Sequence, residues 1–456
     1  MNDKQNQSLA LNRCLTATDL TLLGIGAIIG AGIFVLTGIA AATQAGPAII
    51  FSYLLASIAC AFSALAYAEL ASSVGGCGSA YGYAFASIGE LLAWIIGWDL
   101  LLEYGMDAAT ISIGWGGYLQ STLQAMGIIL PKAFVTDPFN GGIVNLPAMG
   151  VIAMLACILS LGMQTSAKFN KIVVFIKLAV IALFIGIGAF YFEPKNWHPF
   201  LPFGVQGIVN GAGFIFFAYI GFDAVSTAAE ETARPERDLP IGIIASLLIC
   251  TVVYILVSGI LTGIMYFPEL NVNSPVAFSL MKLSFHFAGE VVAIGAIAGL
   301  TTAILAMYYG FTRVYLAMAR DGLLPQTFVK IHQKSRSPRQ LVWFIGVIMA
   351  FIAGFFPISQ IANLVNIGTL AAFVAVCGSV IILRFTKPDM PRPFKTPFSP
   401  LFPLMGIVLC IYLMSTLPRI TWISFGIWTL AGLVIYFGYS RFNSVVGNKT
   451  MQTANV

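Results

Sequence analysis

A glycine-rich apolar stretch near the amino terminus has the composition of a backbone anion site. Residues 24–34 read GIGAIIGAGIF, and each glycine costs roughly 1 kcal/mol relative to alanine inside a helix. The stretch predicts a half-helix ending near Ile28, an extended segment of Gly30, Ala31 and Gly32, and a second half-helix from Ile33. Free N–H groups and the positive dipole end of the second half would bind an anion.

A second apolar stretch carries a matching interruption. Residues 214–223 read FIFFAYIGFD, with one glycine and an acidic residue, Asp223, in mid-segment. An interruption also frees backbone carbonyl oxygens, which accept hydrogen bonds from ammonium groups. We expect the carbonyls of Phe217, Ala218 and Ile220, together with Ile28, to receive such a group. A carboxylate site beside an ammonium site describes an α-amino acid.

Three acidic residues and one lysine lie inside other apolar stretches. Asp99, Glu103 and Asp107 recur every four residues, so they share one helix face. For Glu103, pairing of helices and substrate contact both remain open. Lys177 either reaches the membrane surface with its long side chain or is buried, where removal from water disfavours its charged form. Ionisable residues inside a membrane are functional candidates by default.

A polar stripe follows one face of a later apolar stretch. Thr251, Tyr254, Ser258 and Thr262 succeed each other at spacings of three and four. Such a stripe faces protein or water, and Tyr254 is the member expected nearest the substrate. Glu69, near the end of another stretch, is interpreted as structural.

The composition predicts a polytopic membrane protein that positions these groups on helices. The chain has 456 residues, of which 59% are hydrophobic and 9% charged, with a mean hydropathy of +0.90. Soluble domains carry roughly 25% charged residues. The predicted spans, numbered 1 to 12, are Asp19–Thr43, Pro47–Val74, Ile88–Tyr118, Val144–Leu161, Lys171–Tyr191, Gly204–Glu231, Leu239–Tyr266, Glu290–Ala319, Gln340–Phe356, Ser359–Phe385, Phe398–Leu417 and Ile420–Phe437.

The basic residues predict the orientation of these spans. With a cytoplasmic amino terminus, 17 of the 23 lysines and arginines fall in inside segments and four in outside segments, while Lys177 and Arg313 lie in spans. This asymmetry predicts that both termini are cytoplasmic. The net charge of +5 then needs no nucleic-acid partner. The polar first 13 residues, MNDKQNQSLALNR, do not match a cleavable signal peptide.

The cysteines and histidines suggest neither a cofactor nor an enzyme. The seven cysteines contain no CxxC pair and avoid the predicted outside loops, so no disulfide framework or zinc site is expected. All three histidines, His198, His286 and His332, map to loops. This arrangement disfavours an intramembrane enzyme, and no metal or cofactor is expected.

Four segments together resemble one transporter family. They are the glycine-rich part of span 1, SSVGGCGSAYGYAF after span 2, FFAYIGFDAVSTAAEETARPERDLP in and after span 6, and RVYLAMARDGLLP from Arg313 to Pro325. They resemble the amino acid–polyamine–organocation superfamily, and within it the bacterial relatives of the cationic amino acid transporters. Ala31 departs from the serine or threonine that relatives often carry between the two glycines, which removes one hydroxyl contact to the carboxylate.

The resemblance implies an all-α membrane protein with the leucine-transporter-like fold. Its domains would be a cytoplasmic segment 1–18, a first inverted repeat 19–191, a second inverted repeat 204–385, two additional C-terminal helices 398–437 and a cytoplasmic tail 438–456. It also implies that the ammonium of Lys177 replaces a sodium ion between spans 1 and 8, where Thr301 and Thr302 offer hydroxyl partners. Asp223 and Glu103 are expected as additional proton carriers, after Lys177.

The function expected is proton-coupled import of α-amino acids across the plasma membrane, by alternating access. Met307, placed in the pocket by comparison with relatives, fills space without charge and favours neutral, small to medium substrates. The alternatives on the same fold are an exchanger of amino acids or polyamines and a sodium-coupled carrier; a channel or receptor is disfavoured by two broken spans. The partners expected are the amino acid, protons and the lipid bilayer, with lipids or small membrane proteins at the surface.

Overall fold

The computed structural model describes residues 15–74, 80–160, 167–329 and 338–445. Predictions that involve Arg13, Cys14, Cys77, Lys334 and His332 lie outside these residues, as does the glycine-rich part of the segment after span 2. Within the described part, the chain is helical and carries only two isolated bridges in place of strands. The predicted all-α architecture is therefore confirmed.

Each predicted span coincides with helical structure. Spans 1 to 12 contain, in order, Ala17–Ile28 continued by residues 32–45, then Ile49–Ser73, Glu90–Ala125, Leu146–Ser160, Ala167–Phe190, Gly204–Ile215 continued by Phe216–Tyr219 and Asp223–Glu231, Pro235–Ile264, His286–Arg320, Arg339–Phe355, Ile358–Thr386, Leu401–Ser415 and Arg419–Ile435. Short helices Ala80–Ser87 and Pro275–Lys282 lie between spans 2 and 3 and between spans 7 and 8. Seven helical stretches of the described chain are long and apolar enough to cross a membrane, and four shorter apolar helices accompany them.

The helices are arranged with a buried centre and an apolar exterior. Span 3 packs against spans 8 and 10, and span 7 packs against spans 1 and 2. Large apolar side chains such as Val347, Ile427 and Val434 are exposed on the outer faces. In water such faces would be unfavourable, whereas lipid tails solvate them. The structure therefore agrees with a multi-pass membrane protein.

Span 12 is attached to the centre by tryptophans of span 3. The rings of Trp98 and Trp428 stack with centroids 4.4 Å apart, and each indole N–H donates to the other residue's carbonyl, at 2.9 and 3.2 Å. The indole of Trp94 donates to the Gly432 carbonyl at 2.9 Å. These contacts hold span 3, which carries the three acidic residues, against span 12.

Candidate substrate and coupling site

Span 1 is interrupted, although at a slightly different place from the prediction. The first half-helix ends at Ile28, and Ile29 is extended, with φ −74° and ψ 92°. Ala31 is already in the right-handed helical region, and Gly32 begins a π-helical turn. The predicted extended conformation of Ala31 and Gly32 is therefore wrong. The reason is that Gly30 already accepts the first bond of the second half-helix, from the N–H of Phe34 at 3.4 Å.

The second half of span 1 begins at the residues to which the anion-site prediction assigns the donors. The first N–H groups of a helix have no partner inside it, and its dipole makes them a binding site for anions. In span 1 these groups belong to Ala31, Gly32 and Ile33, at the start of the second half. All three residues are buried. A carboxylate is the expected occupant, and this assignment remains a prediction.

Span 6 is interrupted at the depth of the break in span 1. Its first α-helix ends at Ile215, a short 3₁₀-helix follows, and Ile220 is extended, with φ −62° and ψ 137°. Gly221 has φ +115°, a conformation that residues with side chains rarely adopt. The Asp223 carboxylate accepts the Gly221 N–H at 3.2 Å and thereby satisfies one backbone group at the break.

The two interruptions lie in direct contact. A Cβ added to Gly32 would sit 2.4 Å from both the Cα and the Cβ of Ala218, and one added to Gly221 would sit 3.0 Å from the Cβ of Ala27. Gly30 differs, because an added Cβ would meet only Ala303 at 3.8 Å and Ile111 at 3.9 Å. Gly32 is thus needed for the approach of spans 1 and 6, whereas Gly30 faces spans 3 and 8.

Tyr254 of span 7 bridges the two breaks. Its hydroxyl lies 2.8 Å from the carbonyl oxygen of Ile28 and 2.8 Å from that of Ala218, and it donates its single proton between them. These are two of the four carbonyls predicted to receive the substrate ammonium. Each oxygen already accepts this donor and keeps a second lone pair for an ammonium, so the predicted contact remains a prediction. The carbonyl of Phe217 accepts the Ile220 N–H at 3.2 Å.

Lys177 of span 5 reaches the break in span 1. Its side chain is 0% exposed, and its ammonium donates to the carbonyl oxygens of Gly26 at 2.7 Å and Ile29 at 2.9 Å. Its stem packs over Gly299 of span 8, where an added Cβ would lie 2.8 Å from the lysine Cε. The alternative in which Lys177 reaches the membrane surface is therefore wrong.

The two threonines predicted beside Lys177 have other partners. Thr301 donates to the Ile297 carbonyl at 2.7 Å and accepts the indole N–H of Trp115 at 2.9 Å. Thr302 donates to the Gly299 carbonyl at 2.9 Å. In a helix interior, threonine commonly donates to a carbonyl of the preceding turn. The ammonium of Lys177 donates instead to the carbonyls of Gly26 and Ile29. Neither hydroxyl bonds to Lys177 in the described residues.

The acidic face of span 3 meets Asp223. The side chains of Asp99, Glu103, Asp107 and Asp223 are each less than 5% exposed. Glu103 interacts electrostatically with the other three. The hydroxyl of Tyr104 donates to Asp223 at 3.2 Å, which ties the two elements together. Both interpretations left open for Glu103 agree with this position, since it is buried between helices and about two turns from Ile111.

Met307 lies on the face of span 8 that looks towards span 3. It is 1% exposed and follows Ala303, the neighbour of Gly30, by one helical turn. Phe311, a further turn along, is the residue that a Cβ on Gly105 of span 3 would meet at 3.2 Å. Met307 therefore lies between Ala303, which is next to Gly30 at the break in span 1, and Phe311, which is next to Gly105 of span 3.

The predicted cytoplasmic end of the bundle is closed by several contacts. Leu15 forms two backbone hydrogen bonds with the segment after span 6, to the Glu231 carbonyl at 3.0 Å and from the Ala233 N–H at 2.9 Å. A guanidinium nitrogen of Arg313 lies 3.8 Å from the carboxylate of Glu231. Tyr81 donates to Asp321 at 2.5 Å, and burial together with this carboxylate raises the pKa of its phenol.

Glu69 has the contacts of a structural residue. Its carboxylate, 2% exposed, receives two hydrogen bonds from Arg384, at 3.0 and 2.7 Å, and the Thr396 N–H at 2.7 Å. The guanidinium of Arg392 lies 3.5 Å away. Bidentate pairing of this kind fixes the relative orientation of the Glu69 and Arg384 side chains and neutralises the buried charge of Glu69.

Asn366 is a functional candidate that the sequence analysis did not identify. It lies in span 10 with 0% exposure, and its amide donates to the carbonyls of Gly213 at 3.0 Å and Phe214 at 2.9 Å. These carbonyls precede the unwound part of span 6, where the helix no longer supplies their donors. An asparagine in the middle of an apolar helix was the available signal, since buried polar groups need partners.

Comparison with known proteins identifies relatives that are membrane transporters. Residues 15–449 match the family model described as amino acid permease. The chain is 48% identical over 440 residues to the branched-chain amino acid permease BcaP of Bacillus subtilis, with 95% of this chain and 94% of that protein covered. It is 46% identical over 444 residues to the methylthioribose transporter of the same organism, with 97% and 96% covered.

More distant relatives extend the same family to eukaryotes. The human cationic amino acid transporter 4 is 35% identical over 394 residues, which are 84% of this chain and 62% of that protein. The resemblance found in the sequence motifs is thereby confirmed. The family model covers nearly the whole chain, including both broken spans and the lysine between them. The chain belongs to the amino acid permease family, within the amino acid–polyamine–organocation superfamily of membrane transporters.

Proposed function

We propose that the protein imports neutral α-amino acids of small to medium size, by alternating access coupled to protons. The observation that carries this proposal is the position of Lys177, whose ammonium donates to two carbonyls at the break in span 1. The same break begins the half-helix whose N–H groups are the predicted carboxylate site. The charge on one side chain therefore acts directly on the backbone that binds the substrate.

The coupling follows from the hydrogen bonds of Lys177. Hydrogen bonds from a charged donor are roughly twice as strong as those from a neutral one. When Lys177 is protonated, it holds Gly26 and Ile29 firmly against span 5, which favours an outward-facing state. Loss of the proton to the cytoplasm weakens both bonds and lets span 1 move. Burial makes this loss accessible, because a desolvated ammonium is disfavoured.

The proposed substrate class follows from the chemistry of the carboxylate site, the ammonium site and the side-chain pocket. Half-helix N–H groups of span 1 suit a carboxylate. Carbonyls at the breaks suit an ammonium, and the Ile220 carbonyl follows the unwound turn of span 6. Substrate ammonium would share the oxygens of Ile28 and Ala218 with the Tyr254 hydroxyl. Met307 supplies an apolar wall, and two relatives named as branched-chain amino acid permeases support an aliphatic side chain.

Reconstituted protein tests this proposal directly. We expect proteoliposomes with an acidic exterior to accumulate radiolabelled leucine, a protonophore to abolish the accumulation, and replacement of sodium by potassium to have no effect. Empty liposomes are the control. A strict sodium requirement would contradict the proton assignment and favour the sodium-coupled alternative. Obligatory exchange, with uptake only into preloaded vesicles, would favour an exchanger.

The relative named as a methylthioribose transporter supplies a second substrate to test. Methylthioribose is a sugar thioether without a carboxylate or an ammonium group. If the two backbone sites recognise an α-amino acid, methylthioribose should not compete with leucine, whereas isoleucine and valine should. Strong competition by methylthioribose together with no competition by amino acids would overturn the substrate assignment.

A further inference from the structure

One face of span 10 contacts span 6 on both sides of its break. Asn366, whose amide donates to carbonyls of span 6, lies on this face. Phe373 follows it by seven residues, about two helical turns, and therefore lies on the same face. The ring of Phe373 packs against that of Phe216, before the break, with centroids 5.7 Å apart, and against that of Phe222, after the break, at 5.1 Å. Span 10 is thus placed to control the shape of the break.

The amide of Asn366 meets the carbonyls that follow the last α-helical hydrogen bond of span 6. That bond runs from the Phe216 N–H to the Ala212 carbonyl. The next two carbonyls, of Gly213 and Phe214, accept the amide at 3.0 and 2.9 Å. Both partners are acceptors, so the amide faces them with its NH₂ group. Because consecutive carbonyls of an α-helix are about 100° apart, a donor to both fixes the depth and the rotation of this helix end.

The other amide atom of Asn366 shows that these two donated bonds are the reason for an asparagine here. Its Oδ1 is buried and has no hydrogen-bond partner among the described residues. An unpaired buried acceptor is unfavourable, and leucine, which has the same branched shape, would avoid that cost. The side chain is 0% exposed, so water outside the bundle does not reach it. The bonds to span 6 therefore offset a cost that an apolar residue would not have.

These bonds oppose an alternative conformation in which the first α-helix of span 6 is longer. Without the amide, the carbonyls of Gly213 and Phe214 would gain donors by accepting the N–H groups four residues further on. Residues Phe216–Tyr219 would then be α-helical and not 3₁₀-helical. A 3₁₀-helix rises about 2.0 Å and turns about 120° per residue, whereas an α-helix rises about 1.5 Å and turns about 100°. Over these residues the difference amounts to roughly 2 Å and 80°, which would move the Ile220 carbonyl away from the substrate ammonium.

We propose that Asn366 is a positioning residue for substrate recognition. It holds the 3₁₀ turn of span 6 so that the carbonyls of Phe217, Ala218 and Ile220 are directed at the substrate ammonium, and it acts through this backbone without touching the substrate. The carboxylate site belongs to span 1, so Asn366 affects the ammonium end of the substrate alone. This inference rests on the amino acid substrate proposed above, and it adds that span 10 sets the geometry of the ammonium site.

Equilibrium binding of leucine and of isocaproate, which is leucine without its amino group, tests this role. Wild-type protein should bind leucine more tightly than isocaproate. Asn366→Leu removes both donors and should weaken leucine binding by roughly 5- to 150-fold while isocaproate binding stays at the wild-type level. The ratio of the two Kd values therefore falls. Asn366→Ser retains one donor and should give an intermediate ratio, and it carries the test if Asn366→Leu does not fold.

A second buried asparagine supplies the matched control. Asn145, just before the helix of span 4, accepts the Ala148 N–H at 3.2 Å, and Asn145→Leu should lower stability without changing the ratio of the two Kd values. A wild-type ratio in both Asn366 variants, or equal weakening of both ligands, would overturn the positioning role, because a general packing defect does not distinguish the two ends of the substrate. Equal binding of leucine and isocaproate by wild-type protein would instead contradict the ammonium site and the proposed function.

Discussion

Two glycines of span 1 should differ in how much the same substitution to alanine destabilises the protein. In Gly32→Ala, the new Cβ would lie 2.4 Å from backbone and side-chain carbons of Ala218, so spans 1 and 6 must separate. In Gly30→Ala, the nearest atoms are 3.8 and 3.9 Å away, which is ordinary contact. Overpacking of a close-packed interior costs about 1–3 kcal/mol. The alanine at position 30 should cost less than about 1 kcal/mol, because it displaces nothing.

The cost at position 32 falls on the substrate site. The predicted carboxylate and ammonium sites are both formed by spans 1 and 6. If a strain of about 1–3 kcal/mol opposes closure of these spans around the substrate, binding should be roughly 5- to 150-fold weaker. Thermal denaturation in detergent and equilibrium binding of leucine would measure the two effects. Gly30→Val should fold and yet lose binding, because its side chain enters the space before the half-helix N–H groups.

The outcome that would refute this reasoning is specific. If Gly32→Ala matches wild type in both stability and binding, the close approach of spans 1 and 6 is not required. Greater damage from Gly30→Ala than from Gly32→Ala would show that the anion site is at a different turn. A substitution at Gly426 of span 12, where an added Cβ meets nothing within 4 Å, serves as the control for altered helix propensity.

Three further substitutions test other parts of the site. Tyr254→Phe leaves two buried carbonyls without their donor and should cost about 1–3 kcal/mol, seen as a lower denaturation temperature; an unchanged temperature would show that the bridge is dispensable. Met307→Ser should extend uptake to longer substrates by enlarging the pocket, and an unaltered competition profile would place Met307 elsewhere. Glu69→Ala leaves Arg384 and Arg392 uncompensated and should cost about 3–5 kcal/mol, whereas loss of the exposed Glu269 pair should cost less than about 1 kcal/mol.

The positions of the helices and their breaks could be predicted from local sequence. Apolar length identified the spans, and glycines in spans 1 and 6 identified interruptions because they weaken helices wherever they occur. The conformation of the break was less predictable. Glycine permits both extended and helical backbone, so the sequence alone did not show that Ala31 and Gly32 begin the second half-helix.

The side-chain partners at the site depended on tertiary packing. Lys177 was predicted beside spans 1 and 8, and the structure gives it carbonyls of span 1 in place of Thr301 and Thr302. The bond of Tyr254 to Ile28 and Ala218 joins residues 226 and 36 positions apart, which no spacing rule addresses. The division into two inverted repeats and the cytoplasmic orientation of the termini remain predictions.

Removal of the lysine amine tests the central claim most directly. In proteoliposomes with an acidic exterior, wild-type protein should concentrate leucine against its gradient. Lys177→Ala should bind leucine and exchange it with preloaded leucine, because the proposed carboxylate and ammonium sites are backbone groups, but it should not concentrate it. Full gradient-driven accumulation by Lys177→Ala would contradict the claim that this side chain couples proton movement to transport.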